Sequence, residues 1–198
     1  MSRLFSSGPP VPEPDAPKNR AGRLLVASPQ LDDGNFFRAV ILMLEHSEEG
    51  ALGVVLNHPM DAASYEVLPE HLADDLPMDE VVFRGGPVGE DAIIMLAEFH
   101  TPGDAARVAF ADIGVIDPES DPADLAAQVN VVRAFGGYSG WGAGQLEAEI
   151  QEDAWIDAMP ESDDIFTDEP GLLWSQVLDR KGGQYALLAR MPDDPSVN

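Results

Sequence analysis

The fold class this sequence predicts is α+β: one compact domain on a mixed, largely antiparallel sheet with a few helices. Three observations carry that expectation. Apolar runs rich in strand formers crowd the first half, strand-like and helix-like stretches mix in the second, and neither a repeating β–α alternation nor an internal repeat runs through the chain. At 198 residues, 44% of them hydrophobic, the chain is long enough for one well-buried core.

Residues 1–21 stand apart as an extended or disordered arm, because prolines at 9, 10, 12, 14 and 17 disfavour helix and sheet alike. The domain proper is expected over 22–191, with 192–198 as a C-terminal tail. Residues 23–28 read as a buried strand stopped by Pro29. Two apolar runs, 39–46 and 51–57, flank the polar Ser47-Glu48-Glu49-Gly50, so they predict a hairpin with a four-residue loop. A short helical or irregular turn is expected over 65–72, interrupted by Pro69. Residues 80–84 return as a strand into Gly85-Gly86-Pro87, and 93–96 and 106–110 read as further strands. Asp121-Pro122 has the form of a helix start, Asp as N-cap and Pro at the first helical position, for a helix reaching about Gln128. Residues 131–135 form a strand feeding a glycine-rich loop. Helices follow over 145–150 and 172–178, where Leu146/Ile150, Leu173/Val177 and Trp174/Leu178 pair at four-residue spacing. Residues 185–189 read as a closing strand.

Composition excludes several classes of function. There is no cysteine, which removes disulfides, thiol chemistry and thiolate metal sites. Thirty-six acids face eleven bases, and the net charge of −25 repels nucleic acid and anionic membrane. No apolar run is long enough to span a bilayer, and the first eight residues lack the apolar core of a signal peptide, so the expected location is cytoplasmic. His46, His58, His71 and His100 form no metal-binding pair, and no metal or cofactor is expected.

The most informative stretch runs from Phe135 to Glu147, with five of the eighteen glycines inside nine residues around Tyr138 and Trp141. Glycine loses the most backbone entropy on folding, so such density needs a reason. Successive N–H groups in a loop before a helix make an anion cradle. Alternatively, Tyr138 and Trp141 are core anchors and the glycines let the chain turn tightly round them, which is the favoured reading. Phosphate-loop, dinucleotide and nucleophile-elbow patterns are all absent. Around this stretch, Gln145 and Glu147 offer an amide and a carboxylate at a helix start, Asn57 ends a strand, and Arg84 precedes Gly85-Gly86 and offers a cation to an anion or to one of the many acids.

These pieces together resemble the YqgE/AlgH family of bacterial proteins, the UPF0301 group. The resemblance runs in order through Gly22-Arg23-Leu24-Leu25-Val26-Ala27-Ser28-Pro29, then Gly50-Ala51-Leu52-Gly53-Val54-Val55-Leu56-Asn57 with Pro59, then Gly85-Gly86-Pro87-Val88. It continues through Gly137-Tyr138-Ser139-Gly140-Trp141-Gly142-Ala143-Gly144-Gln145-Leu146-Glu147 with Glu149-Ile150, and ends at Trp155. His58 departs from the Arg common after that Asn, and Ala97 from the His common after Leu96. The resemblance implies a compact α+β domain. Members are mostly uncharacterised, and some are called transcriptional regulators on one lineage's genetics.

The leading expectation is a non-enzymatic binding or interaction protein, with an indirect regulatory role through a small-molecule or protein partner. Its surface would lie where Asn57, Arg84, Gly85, Gly86, Tyr138, Trp141, Gln145 and Glu147 converge. No catalytic residue is assigned. The alternative is an enzyme acting on a small ligand at the glycine-rich segment, with Gln145 or Glu147 as its polar group. A regulator that binds DNA directly ranks third, because the charge opposes it.

Overall fold

Among the described residues the chain forms β1 (Leu24–Ala27), β2 (Val40–Ser47), β3 (Gly50–Val55), β4 (Phe83–Arg84), β5 (Val88–Phe99), β6 (Arg107–Phe110), β7 (Ile113–Val115), α1 (Pro122–Ala126), β8 (Val129–Gly142), α2 (Gln145–Gln151), β9 (Trp155–Ala158), α3 (Ser162–Ile165), α4 (Pro170–Lys181) and α5 (Tyr185–Leu188). The structure, a computed structural model, describes residues 19–31, 33–61, 76–78 and 81–191. The arm before residue 19, the turn expected over 65–72 and the tail from 192 lie outside the described residues.

One sheet runs in the order β6-β7-β5-β8-β3-β2-β1-β9, antiparallel throughout, with β4 laid parallel against β8 at Phe83–Phe135 and Arg84–Gly136. The pivot is β8. Its first part pairs with β5, whereas Ser139 to Gly142 pair with β3. The strand therefore carries the sheet round a corner, and Gly137, at φ +69°, sits there. The curl brings β6 back against β2, where Arg107 pairs with Glu45. The main core fills the space this encloses, with Leu24, Leu42, Val54, Leu96, Ile113 and Phe135 inside. Leu173, Trp174, Val177 and Leu178 pack into the same core from α4. The outer face of β1–β3 is covered by α2 through Leu146, and the outer face of β5 and β8 by α1 through Leu125.

The fold class is as expected, and several elements depart from the sequence reading for local reasons. The glycine-rich stretch is not a loop but the second half of β8. The hairpin between β2 and β3 closes on two residues, since Ser47 pairs with Gly50. Residues 185–188 are helical rather than a strand: the run is short and rich in good helix formers, and Tyr185 N–H bonds to the carbonyl of Gly182. The sheet instead ends at β9, a strand of four residues that apolar periodicity is too short to reveal. Asp121 caps α1 as expected, accepting from the Ala123 N–H at 2.9 Å.

Candidate functional site

The expected convergence divides into two parts: a tight crossing of main chains and a polar network on α2. At the crossing, Gly85 donates to the Gly136 carbonyl at 2.8 Å. Its own carbonyl accepts from the Val55 N–H at 2.9 Å and from the Ser139 hydroxyl at 3.1 Å. A Cβ on Gly85 or Gly86 would fall under 3.0 Å from the main chain of Gly137 or Tyr138 respectively. The glycines are there because backbone meets backbone, and both are buried. Tyr138 lays its ring over Gly89 and Gly140.

Asn57 is buried and serves the loop that enters β2. Its Oδ1 accepts from the Val40 N–H at 2.8 Å and its Nδ2 donates to the Arg38 carbonyl at 2.9 Å. Asn57→Ala strands both main-chain groups, and a loss of about 2 kcal/mol in denaturant unfolding is expected. Arg84 is exposed, and its main-chain N–H donates to the His58 carbonyl.

His58 itself is half-buried. Desolvation lowers its pKa and the Arg84 charge adds to that, while the Phe37 carbonyl, accepting from Nε2 at 3.1 Å, pulls the other way. Because the fold favours the neutral ring, its contribution to stability is complete above about pH 6.5 and is lost as pH falls through the lowered folded value. Thermal unfolding between pH 7.5 and 5.5 is expected to show that loss, and His58→Gln to flatten it.

On α2, Glu149 holds two indoles with one carboxylate. Its Oε2 accepts from Trp141 Nε1 at 2.9 Å and from Trp155 Nε1 at 2.7 Å, and its Oε1 accepts from Gln145 Nε2 at 2.9 Å. Gln145 Oε1 accepts in turn from the Gly142 N–H. The two tryptophans meet edge to face at 5.9 Å, and Phe36 meets Trp155 likewise at 5.4 Å. Gln145 and Trp141 thus belong to one structural clasp. Four-residue spacing alone sets Gln145 and Glu149 on one face of α2, whereas the second indole arrives from β9.

Glu147 lies beside the clasp in a different partnership. The Arg20 main-chain N–H donates to His46 Nδ1 at 2.9 Å, so the ring proton sits on Nε2, which donates to Glu147 Oε1 at 2.7 Å. Burial pushes the Glu147 carboxyl up, but its own main-chain N–H and the His46 ring outweigh it and hold the pKa below the ordinary range. The histidine is buried and the glutamate half-open to solvent. A general base needs a free ring nitrogen toward substrate, and here protein groups take both.

Three hollows lie elsewhere among the described residues. A cleft of about 600 Å³ is walled by Glu98, Asp163, Asp168 and Glu169 and by Arg180, which pairs with Asp164 and Glu161. Two further hollows, of about 420 and 330 Å³, border β9 and share Asp157 and Lys181.

This architecture has relatives. A UPF0301 protein of Streptomyces coelicolor is 45% identical over 185 residues, covering 89% of this chain and 94% of that one. One from Mycobacterium tuberculosis is 40% identical over 190 residues, covering 93% and 94%. The crystal structure of a Corynebacterium diphtheriae protein superposes with a TM-score of 0.78 at 28% identity, over 90% of this chain and 95% of that one. The solution structure of the AlgH protein from Pseudomonas aeruginosa, UPF0301, gives 0.61 at 26% identity, over 91% and 98%. The AlgH-like family model matches residues 24–186, so this chain belongs to the AlgH-like, UPF0301 family.

Proposed function

We propose that the chain is a binding or interaction protein without catalytic activity, acting in the cytoplasm, with any regulatory effect passing through a partner. The observation that supports this most is the internal use of the polar groups around the glycine-rich strand. Glu149 and Gln145 are tied to indoles and main chain, Asn57 to the β2 entry loop, and both nitrogens of His46 to Arg20 and Glu147. Such bonds brace a framework, and each of these groups spends its hydrogen bonds on the protein itself rather than on a substrate. Direct DNA binding is opposed by a net charge of −25, because affinity for the phosphate backbone comes largely from cations that neutralise it.

The test is thermal unfolding of the full chain in the presence of a metabolite and nucleotide panel and, separately, of protein fractions from the extract of a UPF0301-bearing bacterium. A macromolecular fraction that raises Tm by roughly 5 °C, with the panel flat, is the expected result. A small molecule that raises Tm and is chemically converted on incubation overturns the reading.

A further inference from the structure

Among the described residues β9 pairs with β1 alone and ends the sheet. Two bonds fix which way its main chain faces. The Ala27 N–H goes to the Ala39 carbonyl on the β2 side, and the Ser28 N–H goes to the Ala154 carbonyl on the β9 side. With the alternation of an antiparallel pair, Leu24 and Val26 exchange bonds with Ala158 and Ile156. Trp155 and Asp157 therefore aim their N–H and C=O groups outward, and no main-chain group of a described residue takes them up.

A trough lies along this edge. Ile150 and Asp153, at the end of α2, stand on one side, and Gln184, Tyr185 and Leu188 on the other, around about 420 Å³. Past Asp157 it continues for about 330 Å³ beside Met159 and Val177. Its make-up suits a polypeptide in extended form: an edge for main-chain pairing as floor, and mixed apolar and polar walls for alternate side chains. Arg20, Arg23, Arg180 and Lys181 gather here, four of the nine described basic side chains of a strongly acidic molecule. Arg20 and Arg23 are held by Asp157 there, and Arg180 by Asp164 and Glu161.

Resting on the interaction reading above, we propose that the outer edge of β9 takes an extended segment of a protein partner as an additional strand. The segment pairs with Trp155 and Asp157 and sets apolar side chains toward Tyr185 and Leu188. The chain's own termini suit the edge less well. The arm carries prolines at 9, 10, 12, 14 and 17 and the tail at 192 and 195, each lacking an N–H for a ladder. A second copy would bring Asp153 and Asp157 toward their own counterparts, between two molecules of −25 charge.

The experiment pans a random peptide display library on the full chain, then measures the enriched peptides by fluorescence anisotropy and amide hydrogen exchange. Peptides with alternating apolar residues are expected, protecting the Trp155 and Asp157 amides. Asp157→Pro, which removes an outward N–H and spares the bonds to β1, is expected to weaken binding about tenfold or more. Asp157→Asn keeps that N–H and the affinity, and Leu188→Glu on the facing wall weakens binding without touching the edge. An equal Tm for Asp157→Pro and Asp157→Asn shows that the fold is intact. No enrichment, or binding indifferent to Asp157→Pro and Leu188→Glu, overturns the proposal. So do amides already protected in the free chain and exposed by removing residues 1–18 or 192–198, and protection that rises with protein concentration. If the extract fraction stabilises the Asp157→Pro chain as well as the parent, the interaction reading stands and the β9 edge alone falls.

Discussion

Glu149→Ala is expected to cost about 2–4 kcal/mol and to lower Tm by roughly 5–15 °C. The carboxylate is the acceptor for two indole N–H groups at 2.9 and 2.7 Å, and both tryptophans are more than nine-tenths buried. Removing it leaves two donors with no partner in an apolar layer of Phe36, Trp141, Trp155 and Leu146. Stranding a buried donor costs about 1–3 kcal/mol, whereas a satisfied bond contributes only about 1. Glu149→Gln separates the two effects. Its amide oxygen serves the indoles while its NH₂ group confronts that of Gln145, so a loss of about 1 kcal/mol is expected. Urea unfolding of the three proteins decides it. An alanine variant as stable as the glutamine variant would mean that water reaches the indoles and the clasp carries no weight.

That clasp also shows where the sequence is legible and where it is not. β2, β3 and α1 can be read locally, because each announces itself within ten residues: an apolar run either side of a polar turn, or Asp121 before Pro122. Glu149 and Trp155 are close in sequence, but β9, which carries that indole, is placed by pairing with β1 across about 130 residues, which no local pattern encodes. Glu147 was singled out for its place at a helix start, yet its partner is His46, a hundred positions earlier in β2. α5 was read as a strand because four apolar residues fit either element, and only the turn at Gly182 and Gly183 settles it. Residue type makes Asn57, Gln145 and Glu147 candidates, and type alone does not say whether a polar group faces a cavity or the main chain of a neighbour.

The glycine-rich strand gives the second large effect. Gly86→Ala is expected to cost about 4 kcal/mol or more, or to prevent folding, because the new Cβ falls under 3.0 Å from the main chain of Tyr138 and Ser139 at a φ of +154°. Neither side can yield: Gly85, next to it, is held by Gly136, Val55 and Ser139, so moving one chain breaks the join between β3, β4 and β8. Gly144→Ala tests conformation alone, since φ is +73° and nothing stands within 4 Å, and about 1–2 kcal/mol is expected. Gly34→Ala meets no neighbour within 4 Å and no positive φ, so a change inside about 0.5 kcal/mol is expected. An anion cradle would give a different ranking: Gly86→Ala would fold with nearly parental stability, and Gly144, at the start of α2, would be the sensitive position for ligand. A Gly86→Ala Tm within a few degrees of the parent would sink the crossing as the reason for this glycine density. The expected ranking instead ties the glycines to the corner of β8, where one strand serves both halves of the sheet and the main chains of β4 and β8 must touch.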